Sequence, residues 1–323
     1  MAGPTQSGRL RWLRRTILTV AVLAALWFGS GWLYAFNAER THTHHNPFNA
    51  EGVILKAEPQ RVKRGSDTLV VLIHGFGASP MTMLPLGAAF ESATNFDLWL
   101  PLLAQHGRSL REYRAFAPEA IRDDFLNQLD AETSGYQRIV LIGHSFGGAI
   151  LLDLLAEGRL PQNASVILYA PAVYLPADTQ KNRLALEAFR LWSPYCDFAE
   201  IGCLVPNPRA TDGPVRAAIF AQNIFFYIVP DTALRLFDYA KGLAARAPAV
   251  AAPINIVMAR DDGDVAFAGT AEMCAAMAGC RMHALATGSH LAQYGPSLAP
   301  LSQILMRLAE DPAAACEADC ETL

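Results

Sequence analysis

Residues 138–156 read RIVLIGHSFGGAILLDLLA, and the turn in the middle of that stretch decides the fold. Arg138–Ile142 is a short, continuously apolar and β-branched run, the pattern of a strand buried on both faces. Phe146–Glu157 has the length and apolar spacing of a helix. Between them stands Gly143-His144-Ser145-Phe146-Gly147, a G-x-S-x-G motif. A serine on a sharp strand-to-helix turn needs small neighbours, and Gly143, Gly147 and Gly148 supply them. Such a turn lifts the hydroxyl above a sheet, beside a helix N-terminus whose N–H groups favour developing negative charge. The pattern predicts a nucleophilic Ser145, with His144 turned away into packing.

Outward from the turn, short apolar runs alternate with helix-like stretches. The expected strands are Gly52–Leu55, Thr68–Ile73, Phe96–Leu100, Arg138–Ile142, Ser165–Tyr169, Ile254–Met258 and Arg281–Leu285. Met81–Ser92, Ala117–Ala131, Phe146–Glu157 and Phe267–Met277 are expected as helices. That alternation predicts an α/β fold, a mostly parallel sheet with helices on both faces. From about 172 to 250 the alternation stops, and helical segments with the run AAIFAQNIFFYIVP take over. An insertion leaving the carboxyl end of a strand lies over the crevice where ligands bind, so 172–250 is expected as a helical cap or lid. Within it, Ile219, Phe220, Ile224, Phe225 and Phe226 are expected to line an apolar cleft.

A nucleophilic serine needs a base, the base an orienting carboxylate, and the reaction an oxyanion hole. The second expected strand, Thr68–Ile73, ends at His74-Gly75-Phe76-Gly77. The N–H groups of Phe76 and of Phe146, after the serine, form the natural oxyanion pair, with His74 ordering the loop. Downstream, Asp261, Asp262 and Asp264 follow a strand, and His290 follows the last one. The order serine, acid, histidine suits a serine on such an elbow. His290 is the expected base; His283 sits inside a strand and His106 precedes the serine. Spacing alone leaves the three acids open. No metal or cofactor is implied.

Five stretches now stand together: HGFGASPMTMLPLGAAF (74–90), LPLLAQHG (100–107), GHSFGGA (143–149), ARDDGDV (259–265) and GSH (288–290). On these the chain resembles the α/β-hydrolases, and more narrowly bacterial carboxylesterases and monoacylglycerol lipases. Ala259 and Ala266 depart from the glycine and proline usual there. The resemblance implies hydrolysis of carboxylic esters without a cofactor, under a helical cap. It also implies that the acid stands three residues before a buried valine, so Val265 selects Asp262. The implied reading is a serine ester hydrolase acting on a small-molecule or lipid ester through Ser145, His290 and Asp262. A peptidase or acyltransferase on the same triad is the alternative, with Glu200, Asp231 or Asp238 available to hold a substrate amine. A catalytically idle binding protein of this fold is a further one.

The N-terminal residues set the compartment. Thr16–Phe36 is a 21-residue run without charge, long enough to cross a bilayer core of about 30 Å as a helix. Arg9, Arg11, Arg14 and Arg15 precede it, which puts the N-terminus in the cytoplasm and the body across the cytoplasmic membrane. Residues 1–36 are therefore expected as a basic tail and single anchor, and 37–50, with THTHHNP, as a polar linker. The body follows from 51 to 323. A cleaved signal peptide is the competing expectation. Six cysteines, all beyond the apolar run, are expected as local disulfides: Cys196–Cys203, Cys274–Cys280 and Cys316–Cys320. Five of the 26 basic residues and one of the 30 acids lie in 1–40, which leaves the remainder with 21 and 29, a net of −8. A nucleic-acid partner needs a basic face, and none is expected here.

Overall fold

A computed structural model describes residues 6–175, 183–187, 205–206, 227–314 and 320–322 of the chain. The continuously apolar runs form the strands of one sheet: β1 (Gln60–Val62), β2 (Thr68–Ile73), β3 (Asp97–Leu100), β4 (Arg138–His144), β5 (Ala164–Tyr169), β8 (Ile254–Ala259), β9 (Cys280–Leu285) and β10 (Cys320–Thr322). Their order is β1-β3-β2-β4-β5-β8-β9-β10, and all neighbours are parallel except the edge strands β1 and β10. A separate two-stranded ribbon pairs β6 (Val205–Pro206) with β7 (Tyr227–Ile228). The helices are α1 (Gln6–His45), α2 (Leu84–Ala93), α3 (Leu110–Arg114), α4 (Pro118–Glu132), α5 (Phe146–Ala156), α6 (Pro230–Arg246), α7 (Phe267–Ala276) and α8 (Leu298–Glu310). The fold is an α/β-hydrolase fold with an insertion between β5 and β8.

The strands carry no polar alternation because both faces of the sheet are covered. Leu69, Val71 and Ile73 of β2, with Ile139 and Leu141 of β4, enter one core beside α4, α5, α6 and α7. Val70 and Leu72, with Val140 and Ile142, enter the other beside α2 and α8. Each fully buried Leu, Ile or Val contributes about 1.5–3 kcal/mol against exposure, so the central strands hold the sheet between its two helical layers.

Several expectations change. Gly52–Leu55 is no strand: Asn49 Oδ1 accepts from the Glu51 and Val53 N–H groups, Gly52 takes φ +73°, and only Ile54 bridges, to Phe48. The side chain turns the backbone before a ladder can form. The stretch 37–50, expected as a polar linker, is helical as far as His45; no glycine or proline interrupts it before Pro47, which stops the helix. The end of the stretch expected as a cap is no lid, since α6 lies in the flanking layer. Its Tyr239 hydroxyl donates to Asp153 of α5 at 2.8 Å, and Arg246 pairs with the same carboxylate at 2.7 Å. Arg122 of α4 completes that fully buried group at 2.9 Å. The apolar run Ile219–Phe226 lies outside the described residues. α8, apolar at Leu301, Ile304, Leu305 and Leu308, was not anticipated, nor were β1 and β10.

Candidate active site

Strand β4 delivers Ser145 to the carboxyl edge of the sheet, and the backbone turns there at φ +53°, ψ −115°. Positive φ at a residue with a Cβ costs on the order of 1–3 kcal/mol and survives only where the surroundings enforce it. Here they do. Ser145 N–H donates to the Tyr169 carbonyl at 3.0 Å, and its own carbonyl accepts from Ala149 and Ala172 N–H. The glycines are required by contact: a Cβ on Gly143 would stand 2.6 Å from Gly147, and one on Gly147 2.7 Å from the His74 carbonyl. Only such small residues let β2, β4 and α5 meet at one point.

Two loops close on the serine. Gly75 lies against it, the position of a Cβ there being 3.5 Å from Ser145 Oγ. This brings the following residue, Phe76, to the elbow, and Phe146 opens α5, where helix N–H groups have no partner within the helix. Their rings are anchored in one aromatic cluster: Phe76 meets Phe116 at 5.0 Å and Tyr113 at 5.6 Å, and Phe146 meets Phe116 at 5.1 Å. His74 holds the same loop. Its Nδ1–H donates to the Gly75 carbonyl at 2.9 Å, and its Nε2 accepts from Leu103 N–H at 3.1 Å. Burial keeps that ring well below its ordinary pKa, hence neutral, as both bonds require.

From the other side, His290 Nδ1 meets Asp262 Oδ2 at 2.9 Å. The Asp262 side chain is fully buried, and its Oδ1 accepts from Asp264 and Val265 N–H at 2.8 and 2.9 Å. Burial opposes the charge, but His290 and the two N–H groups outweigh it and hold the carboxyl below its ordinary value. Val265 is buried beneath the loop and Asp261 is exposed, and Asp262 is the acid hydrogen-bonded to His290.

His144 differs from its expected role in plain packing. Its Nε2–H donates to the His290 carbonyl at 2.9 Å, and its ring stacks on Tyr169 at 4.5 Å and lies 4.8 Å from His290. The Tyr169 hydroxyl also reaches the His290 carbonyl at 3.2 Å and donates to Gln293 Oε1 at 2.6 Å. The residue before the serine thus ties the histidine loop to the elbow. Burial pushes His144 down to about 3, so it stays a neutral donor. The sequence signal for this was weak: a polar ring beside the serine, with partners 25 and 146 residues away.

The remaining candidates lie elsewhere. His283 pairs with Asn255 across β9 and β8 at 2.9 Å, and His106 donates to the Ala104 carbonyl inside the aromatic cluster. Asp238 is neutralised by Arg183 at 2.7 Å, and Asp231 sits in the first turn of α6, where a carboxylate complements the helix dipole. Glu200 lies outside the described residues. Cys274 and Cys280 form a disulfide joining α7 to β9, with Cα atoms 5.3 Å apart. Of the other expected pairs, Cys196–Cys203 and Cys316–Cys320, the residues Cys196, Cys203 and Cys316 lie outside those described, and Cys320 is described only as the start of the β10 backbone.

Solved structures share this architecture. One of two metagenome-derived lipolytic enzymes, LipS and LipT, matches with a TM-score of 0.64 and 19% identity, over 80% of this chain and 99% of that one. The enol-lactonase of Burkholderia xenovorans LB400 matches at 0.56 and 18%, over 79% and 95%. The Paleococcus ferrophilus monoacylglycerol lipase matches at 0.54 and 17%, over 78% and 99%. No curated protein matches the chain in sequence. The family model described as "Alpha/beta hydrolase family" matches residues 70–300, which hold the elbow, the Phe76 loop, Asp262 and His290. The chain belongs to the alpha/beta hydrolase family.

Proposed function

We propose that the protein is a serine hydrolase of carboxylic esters, held at a membrane by α1. One observation carries the reading: the strained turn at Ser145 is enforced at the point where a loop carrying a buried His290–Asp262 pair is tied to it through His144. Strain of this kind persists at sites that use it. In the reaction, Ser145 Oγ attacks the acyl carbonyl while His290 Nε2 takes its proton. Asp262, bound at Nδ1, fixes the tautomer and offsets the imidazolium charge. Phe76 and Phe146 N–H groups bind the tetrahedral oxyanion, and the α5 N-terminus adds its dipole. His290 returns the proton to the leaving alcohol, and water, activated by the same ring, releases the acyl group. Esters cleaved by structural neighbours, a monoacylglycerol lipase among them, agree with this chemistry.

The compartment in this reading rests on α1 and the disulfide. α1 is apolar and almost wholly exposed over its hydrophobic stretch, which suits lipid better than water. It continues as one helix through residues 36–45. The body then lies on the far side of the cytoplasmic membrane, where Cys274–Cys280 is stable. The test is labelling with a fluorophosphonate probe. Wild type should be modified at Ser145, and Ser145→Ala should not; a mutant labelled as strongly as wild type overturns the reading.

A further inference from the structure

The segment expected as a solvated linker is firmly fastened to the body. His42 is fully buried, its Nε2–H donating to the Arg108 carbonyl at 3.1 Å and its Nδ1 accepting from Asn46 Nδ2 at 3.2 Å. Glu39, one turn earlier, accepts from the Leu110 N–H and faces Arg111. Beyond the helix, residues 46–57 close a collar. Ile54 N–H donates to the Gly107 carbonyl at 2.8 Å, and Arg108 Nη1 donates to the Glu51 carbonyl at 2.9 Å. Val53, Ile54 and Ala57 form a small core with Phe48 and Leu102.

These partners, from Leu102 to Arg111, lie on the segment that leaves the carboxyl end of β3. β2, β3 and β4 are parallel, so this is the edge of the sheet on which Ser145 stands. α3, which begins at Leu110, carries Tyr113 against the Phe76 ring. The uncharged run ends at Phe36, and a helical rise of about 9 Å, with five residues between, takes it to His42. So short and helical a connection cannot let the body swing away. Among the described residues outside α1, the exposed large apolar side chains are Leu55 on the collar, at 49%, and Leu184 in the insertion, at 64%.

We propose that the collar fixes the body on the bilayer with the carboxyl edge of its sheet toward the lipid, so that Ser145 draws acyl substrates from the membrane surface. The substrate half rests on the ester hydrolase reading; the orientation does not. Energy transfer to a headgroup-labelled acceptor in phosphatidylcholine vesicles tests the orientation on the full chain. Donors go on Ala115→Cys, after α3, and on Glu310→Cys, whose carbonyl binds Arg138 at the start of β4. β4 separates the two edges by about 20 Å. Transfer should be stronger from position 115; equal or stronger transfer from 310 overturns the proposal. In the same vesicles, a flexible Gly/Ser spacer of about twelve residues between Phe36 and Asn37 tests the consequence. Hydrolysis of a long-chain monoacylglycerol in the bilayer should fall roughly tenfold or more, while a soluble butyrate ester is cleaved within about twofold of wild type, because only the tethered approach is lost. Undiminished bilayer hydrolysis overturns the proposal. A wild type that cleaves neither ester refutes the hydrolase reading instead, and the energy transfer still decides the orientation.

Discussion

Two pairs of buried histidines lie on either side of the elbow and differ in a single partner. His144 and His290 stand with ring centroids 4.8 Å apart, and His74 and His106 with theirs at 5.2 Å. Both pairs are wrapped by aromatic rings and by backbone. Only His290 has a carboxylate, Asp262 at 2.9 Å; His74 and His106 donate to main-chain carbonyls. Burial holds the second pair neutral, His106 down to about 4 and His74 well below its ordinary value, so those rings order the loop and carry no charge. The lesson is that burial alone keeps a histidine neutral and structural, whereas a buried carboxylate against Nδ1 suits the base role proposed for His290.

The sharpest way to break the comparison is to remove the carboxylate. Asp262→Asn should lower kcat by about 10⁴-fold through loss of the correct tautomer, with the fold retained. Asp264→Asn, which leaves the His290 contact in place, should cost less than about tenfold. Steady-state kinetics on the two variants check this, and a crippled Asp264→Asn would mean the wrong acid has been assigned. A smaller effect separates positioning from chemistry. His144→Phe keeps the ring against Tyr169 but removes the donor to the His290 carbonyl. One buried hydrogen bond is worth about 1.5 kcal/mol or less, so kcat should fall by up to about tenfold with KM unchanged. An equal fall in thermal stability without a kcat change would make His144 merely structural.

The neutral rings predict the acid behaviour of the fold. His74, His106 and His144 have folded pKa values depressed below 6.5, while the unfolded chain protonates near that value. Below pH 6.5 the unfolded state therefore binds more protons, and stability falls as pH drops toward the folded values. Each ring contributes a slope of up to about 1.4 kcal/mol per pH unit in that window. Denaturant titrations between pH 7.5 and 5 should show the loss. His106→Phe, which keeps an aromatic ring in the cluster, should flatten the slope by about one such contribution. An unchanged slope would show that His106 is not held neutral.

What the residues declared by themselves is local chemistry. The elbow was legible because a strand, a serine between glycines and a helix adjoin in sequence. Spacing left Asp262 as one of three acids, and only the resemblance singled it out through Val265; His74 was legible through its place at a strand end. The apolar run at 16–36 announces itself by length and absence of charge. Tertiary structure decided everything that depends on partners far along the chain. His144 acts on a carbonyl 146 residues away, and nothing local distinguishes it from a packing residue. Residues 37–50 look like a polar linker because a partner such as the Arg108 carbonyl, which binds His42, lies far along the chain. α6 reads as part of a cap until Tyr239 and Arg246 meet Asp153. The edge strands β1 and β10 are three residues each, too short for a periodic signal, and exist only because β3 and β9 offer free edges. Sequence carries short-range preference plainly; the choice of which buried polar group satisfies which other one is made only when the chain closes on itself.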